Sequence, residues 1–277
     1  MEARPAPDAP RHPYGDALPL GSGPPPEHVA IEFREVYKAF GEKRILRGAS
    51  MSIPKGTSAV VMGGSGTGKS VTIKHVVQLL QPDKGEVWVL GERVDELKQD
   101  AMDTLRLKIG YLFQSGALFD SMTVAENMGF VLERHTEKGE RERRDRIMET
   151  LEWVNMTGSA DQFPSELSGG QRKRAGLARS IILEPEIMLY DEPTTGLDPI
   201  SVRTVSNLIT RLRDERGITS ITITHDLLCA EMISDHVYYL LDGVYAAEGT
   251  LDEVSASREP QIREFFGAED APLETGR

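Results

Sequence analysis

Eight consecutive residues, Gly63-Gly64-Ser65-Gly66-Thr67-Gly68-Lys69-Ser70, fit the spacing G-x-x-x-x-G-K-S/T. Glycines in such a run let successive backbone N–H groups close around an anion with no Cβ in the way, at the positive end of a helix. In that cradle Lys69 has the β- and γ-phosphates of a nucleotide to neutralise, and the Ser70 hydroxyl is an oxygen ligand for Mg²⁺. A second constellation lies farther along, where the apolar run Ile187-Met188-Leu189-Tyr190 ends in the carboxylates Asp191 and Glu192. The end of a strand is where a parallel sheet presents ligand chemistry. Asp191 is placed there to hold Mg²⁺, directly or through water. Glu192 points the other way and is suited to polarise a water aimed at the γ-phosphate. The bland alternatives are a flexible turn for the glycines and a solvated acidic turn for the carboxylates. Agreement at all eight positions, between an apolar strand and a helix, weighs against the first, and the glycine loop itself weighs against the second.

These groups need a scaffold, and the rest of the chain reads as one. Strand-like runs at Ile31 to Val36, Ile45 to Ile53 and Ala59 to Met62 lead into the glycine loop, and a helix is expected from about Ser70 to Leu80, before Pro82-Asp83-Lys84-Gly85. Short strands follow at Glu86 to Leu90 and Ile109 to Phe113. A charge-dense, mainly helical stretch is expected from Thr123 to Asn155, with apolar Ile147, Leu151 and Val154 at helical spacing. After Pro164 the alternation returns: a helix from Ser168, a strand at Ile187 to Tyr190, a helix from Pro199 to Arg216, and strands at Ser220 to Thr224, Val237 to Leu241 and Val244 to Glu248. No internal repeat is visible, so a single α/β cassette is expected. Residues 1–27, with half of the 16 prolines, read as a disordered tail. Ile262, Phe265 and Phe266 form an amphipathic patch near the other end that is expected to dock on the body of the fold.

Leu167-Ser168-Gly169-Gly170-Gln171, lying between the glycine loop and the Asp191 strand, resembles the signature of ATP-binding cassette (ABC) ATPases. Ser168 and the two glycines open a helix, so a hydroxyl, backbone N–H groups and the helix dipole converge on an anion. The resemblance implies an α/β cassette with a RecA-like P-loop core, an antiparallel β subdomain and a helical subdomain. It places the ATPase domain at 28–266, a helical insert at about 115–163, and a terminal tail at 267–277. It also implies ATP and Mg²⁺ as ligands and further site residues. Phe40 resembles the aromatic that stacks on adenine. Gln114 resembles the glutamine that reaches Mg²⁺ and the attacking water and senses the transporter. Asp198 resembles the residue that crosses the dimer, and His225 the switch histidine at the γ-phosphate. In the family, Ser168 to Gln171 would hold the γ-phosphate bound by an opposite subunit. Departures are mild: Gly64, Thr195 and Gly176 stand where bulkier residues, serine and alanine are common.

One glycine loop and one signature per chain imply that complete sites need two copies, a homodimer. Stretches Leu112 to Val124, Pro164 to Leu167, Asp198 to Ile200 and Ile262 to Phe266 resemble ATPase subunits of Mla-type lipid transporters. That resemblance implies a separate membrane permease, an MCE-domain substrate-binding protein, lipid cargo and a peripheral place on the cytoplasmic face of the inner membrane. An importer ATPase for amino acids or other small solutes is the rival reading. The composition fits a partner that is not nucleic acid: the formal net charge over 277 residues is −12, which opposes attraction to polyanions. Apolar runs are only strand-sized, no span or secretory leader is expected, and the sole cysteine, Cys229, reads as a small buried hydrophobe of a reducing compartment.

Overall fold

The structure is a computed structural model that describes residues 23–267; the expected tail thus falls outside the described residues over 1–22, as does most of the expected C-terminal tail. Ten strands run in chain order: β1 (Val29–Phe40), β2 (Lys43–Pro54), β3 (Ser58–Met62), β4 (Lys84–Val89), β5 (Glu92–Arg93), β6 (Ile109–Leu112), β7 (Ile187–Asp191), β8 (Thr219–Ile223), β9 (His236–Leu241) and β10 (Val244–Gly249). The helices are α1 (Lys69–Val76), α2 (Gln99–Arg106), α3 (Val124–His135), α4 (Glu140–Trp153), α5 (Gly169–Ile181), α6 (Pro199–Arg216), α7 (Leu227–Ile233), α8 (Leu251–Ser255) and α9 (Pro260–Phe265).

The strands form two sheets. A four-stranded sheet has the order β2-β1-β4-β5 and pairs antiparallel throughout. A six-stranded sheet has the order β10-β9-β3-β8-β7-β6, with parallel pairing from β9 to β6 and β10 antiparallel at its edge. Strands buried on both faces read as unbroken apolar runs, which is why β3 and β7 were legible. Their side chains divide between two cores. Val60, Met62, Met188 and Tyr190 enter the core shared with α3 to α7. Ala59, Val61, Ile187 and Leu189 enter the core beneath the antiparallel sheet, α1 and α2. One sheet thereby holds the helical part on one face and the antiparallel part on the other.

The expected charged stretch is a pair of helices, α3 and α4. Thr123 caps α3 reciprocally with Glu126, and the apolar positions Ile147, Leu151 and Val154 face the core. The helix expected to reach Leu80 ends at Val76 instead. Gln78 has φ of 53°, and its Nε2 donates to the carbonyls of Val94 and Leu97 at 2.7 and 3.1 Å. The side chain thus ties the chain to the segment after β5, a long-range demand that helical propensity does not register. The patch at Ile262, Phe265 and Phe266 docks as expected: Ile262 is buried, and both phenylalanine rings lie against Tyr239 of β9 at centroid distances of 5.3 and 6.3 Å. Gly176, where alanine is the familiar residue, has a packing reason, since a Cβ there would lie 3.0 Å from Gly116 Cα and from Leu112 Cδ1.

Candidate functional site

β3, an interior strand, carries the chain to the C-terminal end of the parallel strands, and the loop from Gly63 to Gly68 turns back into α1. Gly68, the residue before the helix, has φ of 106°, a conformation open to glycine, and a Cβ there would collide with Ile45. Helix α1 has no side-chain cap. Among the described residues, none of the N–H groups from Gly66 to Ser70 donates to a backbone carbonyl. A helix N-terminus with free N–H groups is an anion cradle. Lys69 is buried, and its Nζ donates to the carbonyls of Gly63 and Gly64 at 2.9 and 2.8 Å. Burial lowers its pKa, while Glu192 and Asp191 act to raise it. A phosphate would offer this ammonium an anionic partner in place of two carbonyls.

Parallel pairing of β3, β8 and β7 brings their C-terminal ends together. Ser70 Oγ donates to Asp191 Oδ1 at 2.9 Å, and the Tyr111 hydroxyl lies 3.5 Å from Asp191 Oδ2. Among the described residues no cluster of His, Cys, Asp or Glu forms a metal cage. Mg²⁺ does not need one, because it is usually bound through one or two carboxylates plus substrate phosphates. The hydroxyl and carboxylate of Ser70 and Asp191 are therefore a fitting donor set.

Glu192 follows the strand with φ of 51°, in the left-handed region. Its N–H donates to the Ile223 carbonyl at 2.9 Å. Its carboxylate lies 2.9 to 3.0 Å from His225 Nδ1 and accepts from Thr195 Oγ1 at 2.8 Å. A carboxylate fixed from two sides keeps one direction, which general-base work requires. A cleft of about 730 Å³ is lined by Gly63, Gly64, Ser65, Gly66, Gly68, Lys69, Ser70, Gln114, Glu192 and His225, together with Ile45 and Phe265.

The remaining expected site residues lie elsewhere on the surface. Phe40 ends β1, half exposed, with Lys38 Nζ 5.6 Å from its ring centroid. Ser168 caps α5, accepting from the Gln171 N–H at 3.2 Å, while its own N–H donates to Gln171 Oε1 at 2.8 Å. Gly169 lies beside Leu197, and Gly170 beside Ser201 of the first turn of α6. Asp198 caps α6, accepting from the N–H groups of Ile200 and Ser201 and from Ser201 Oγ at 3.0, 3.1 and 2.6 Å. The Ser201 hydroxyl chiefly holds its carboxyl below the usual carboxylate range. Neither Phe40, Ser168 to Gln171 nor Asp198 lines the cleft. Within one chain the helix openings of α5 and α6 form a separate edge.

Two residues that the sequence did not single out position this machinery. Lys173, buried on α5, donates to the carbonyls of Gln114 and Glu192. Asn127 of α3 is buried and holds the loop after Gln114: its Oδ1 accepts from the Phe119 N–H at 2.8 Å, and its Nδ2 donates to the Phe119, Met122 and Thr123 carbonyls. The one sequence signal for Asn127 is an amide on the apolar side of an amphipathic helix. Lys173 stands in a basic run, Arg172-Lys173-Arg174, that reads as solvated. Phe265 and Ile45 reach the cleft only through tertiary packing.

Comparison with known proteins gives the same picture. The family model described as ABC transporter matches residues 46–195. The probable ribonucleotide transport ATP-binding protein mkl of Mycobacterium leprae is 40% identical over 246 residues, covering 89% of this chain and 71% of that protein. The intermembrane phospholipid transport system ATP-binding protein MlaF of Escherichia coli K12 is 35% identical over 244 residues, covering 88% of this chain and 91% of that protein. Among solved structures, an ATP-binding cassette captured as a dimer in a post-hydrolysis state with ADP and Pi superposes with a TM-score of 0.74. It is 31% identical and covers 80% of this chain and 98% of its own.

Proposed function

Because this chain belongs to the ABC transporter family of ATP-binding cassette ATPases, we propose that it is the ATP-hydrolysing subunit of a transporter that moves lipid, of phospholipid type, between membranes of a bacterial envelope. The observation that carries the cargo is the match to MlaF, which runs through nearly the whole length of both chains. In this reading residues 28–266 are the ATPase domain, with the helical insert at 115–163. Gly63 to Ser70 wrap the phosphates of ATP, Lys69 balances the β- and γ-phosphates, and Phe40 meets the adenine. Ser70, Asp191 and Gln114 would hold Mg²⁺, which would supply positive charge against the repulsion between phosphate oxygens. Glu192 polarises the attacking water, and His225 holds the Glu192 carboxylate and faces the γ-phosphate.

Two copies complete the site. The exposed N-terminus of α5 presents the Ser168 hydroxyl and the N–H groups of Gly169 and Gly170, with Gln171, to the γ-phosphate on the partner, and Asp198 crosses the same interface. That a cassette of the same fold has been solved as a dimer with ADP and Pi supports the two-copy reading. Among the described residues no helix is long and apolar enough to cross a membrane. The force of closure therefore acts on a separate permease, against the segment from Gln114 to Phe119, and an MCE-domain protein passes the lipid on. The chain sits on the cytoplasmic face of the inner membrane. The name of mkl points instead to ribonucleotide cargo.

A mild-detergent pull-down of the tagged chain from native membrane, read by mass spectrometry of proteins and lipid, tests this function. Recovery of a multispan permease with an MCE-domain protein and phospholipid is expected. Recovery of a solute permease with a periplasmic binding protein would overturn the lipid reading and leave the ATPase standing.

A further inference from the structure

Lys173 belongs to α5, whose first residues form the exposed edge, yet its own side chain runs into the molecule and is only 6% exposed. Its Nζ donates to two carbonyl oxygens from segments far apart in sequence, Gln114 after β6 and Glu192 after β7, the latter at 2.8 Å. Glu192 occupies the left-handed region, where a non-glycine backbone persists only when its surroundings hold it. Three contacts hold this one: the Ile223 carbonyl on its N–H, and on its carbonyl the Lys173 ammonium at 2.8 Å and the Thr195 N–H at 3.4 Å. Bonds from an ammonium to a carbonyl are charge-assisted and stronger than neutral ones.

We propose that Lys173 is a positioning residue for hydrolysis: its ammonium ties the Gln114 segment to the backbone of Glu192, so that the two move together and the Glu192 carboxylate keeps its aim. The proposal rests on the ATPase reading given above. A neutral side chain at 173 takes the ammonium from the Gln114 carbonyl, leaves the Glu192 carbonyl only the longer bond from the Thr195 N–H, and lets Glu192 relax away from φ 51°. Movement at Gln114, beside the segment on which a permease would press, then no longer reaches Glu192.

The test is steady-state hydrolysis of Mg·ATP by the full chain, with ATP binding measured separately by equilibrium dialysis. Lys173→Met is expected to lower kcat by about 10 to 100-fold while the ATP dissociation constant stays within about twofold. Lys173→Arg, which keeps a cationic donor, is expected to retain more of kcat than Lys173→Met. A Lys173→Met protein with wild-type kcat, or a Lys173→Arg protein no more active than Lys173→Met, overturns the proposal. If Lys173→Met fails to fold by thermal unfolding, the neutral and shorter Lys173→Gln takes its place, and wild-type kcat there overturns the proposal. Glu192→Gln separates the levels: undiminished hydrolysis there removes the ATPase reading of Glu192 and this proposal with it, whereas loss there with normal Lys173→Met rates removes the proposal only.

Discussion

At the start of α1 the helix opens on glycine with no side-chain cap, and the N–H groups from Gly66 to Ser70 donate to no backbone carbonyl among the described residues. At the starts of α5 and α6 the same kind of terminus is capped by its own chain, through Ser168 with Gln171 and through Asp198 with Ser201. The first terminus faces a cleft where Lys69, Ser70, Gln114, Glu192 and His225 already converge. The second pair lies outside that cleft. The difference teaches that convergence, not the helix N-terminus, marks a candidate reaction site: the cleft gathers groups from several elements, whereas the openings of α5 and α6 are occupied by their own caps.

The largest expected effect lies in the cleft. Glu192→Gln keeps the shape and the Thr195 contact but removes the base, and should lower kcat by about 1000-fold with ATP binding preserved. A phosphate-release assay beside equilibrium dialysis checks it. Loss of ATP binding instead would mean that Glu192 shapes the cleft rather than serving the water.

The edge should break differently. Ser168→Arg ought to leave ATP binding by the isolated chain within about twofold, yet lower hydrolysis about 100-fold by blocking the facing site. Light scattering of Glu192→Gln with saturating Mg·ATP should show a dimer that the Ser168→Arg, Glu192→Gln double variant fails to form. A dimer in the double variant would sink the division of labour between cleft and edge.

His75 of α1 gives the cleft side a pH dependence through burial. It is buried on α1 against Phe33, with Nδ1 at 2.7 Å from the Val71 carbonyl, and burial lowers its pKa to about 4 from 6.5. The folded state therefore binds this proton less readily than the unfolded chain. Its contribution is complete above about pH 6.5 and is lost as pH falls toward about 4. Denaturant unfolding should show a loss of about 2 kcal/mol between about pH 7.5 and about pH 5 from this group, and His75→Gln should flatten that part of the slope. An identical slope in the variant would assign acid sensitivity elsewhere.

The smallest effect is the cap itself. Asp198→Ala should lower stability through the loss of an N-cap, seen as a modest fall in Tm. An Asp198→Asn variant that restores Tm but not hydrolysis would show that the carboxylate has a second task at the edge.

Much of this architecture was legible because it is local. The glycine loop, the apolar run ending in Asp191 and Glu192, the capped starts of α5 and α6, and the strands of the parallel sheet all announce themselves within a few residues, since loop conformation, capping and burial on both faces depend on adjacent side chains. The same reading carried α1 a turn too far, because Gln78 is recruited by Val94 and Leu97 across the fold. It passed over Asn127, whose four-way bonding to the loop after Gln114 joins residues apart in sequence, and the place of Phe265 in the cleft, set by packing on Tyr239.

The sequence by itself determined the glycine loop ending in Lys69 and Ser70 and the apolar strand ending in Asp191 and Glu192, residue types and spacings that suit phosphate, Mg²⁺ and a polarised water. Only the tertiary structure decided that Lys173, one cation in a basic run, is buried and spans Gln114 and Glu192. It also decided that Ser168 and Asp198 stand apart from the cleft they resemble partners for. The physical reason is the same in both cases: where a side chain lies relative to groups distant along the chain is set by the pairing of β6, β7 and β8 and by the packing of α5 upon them, and no short stretch of sequence contains that information.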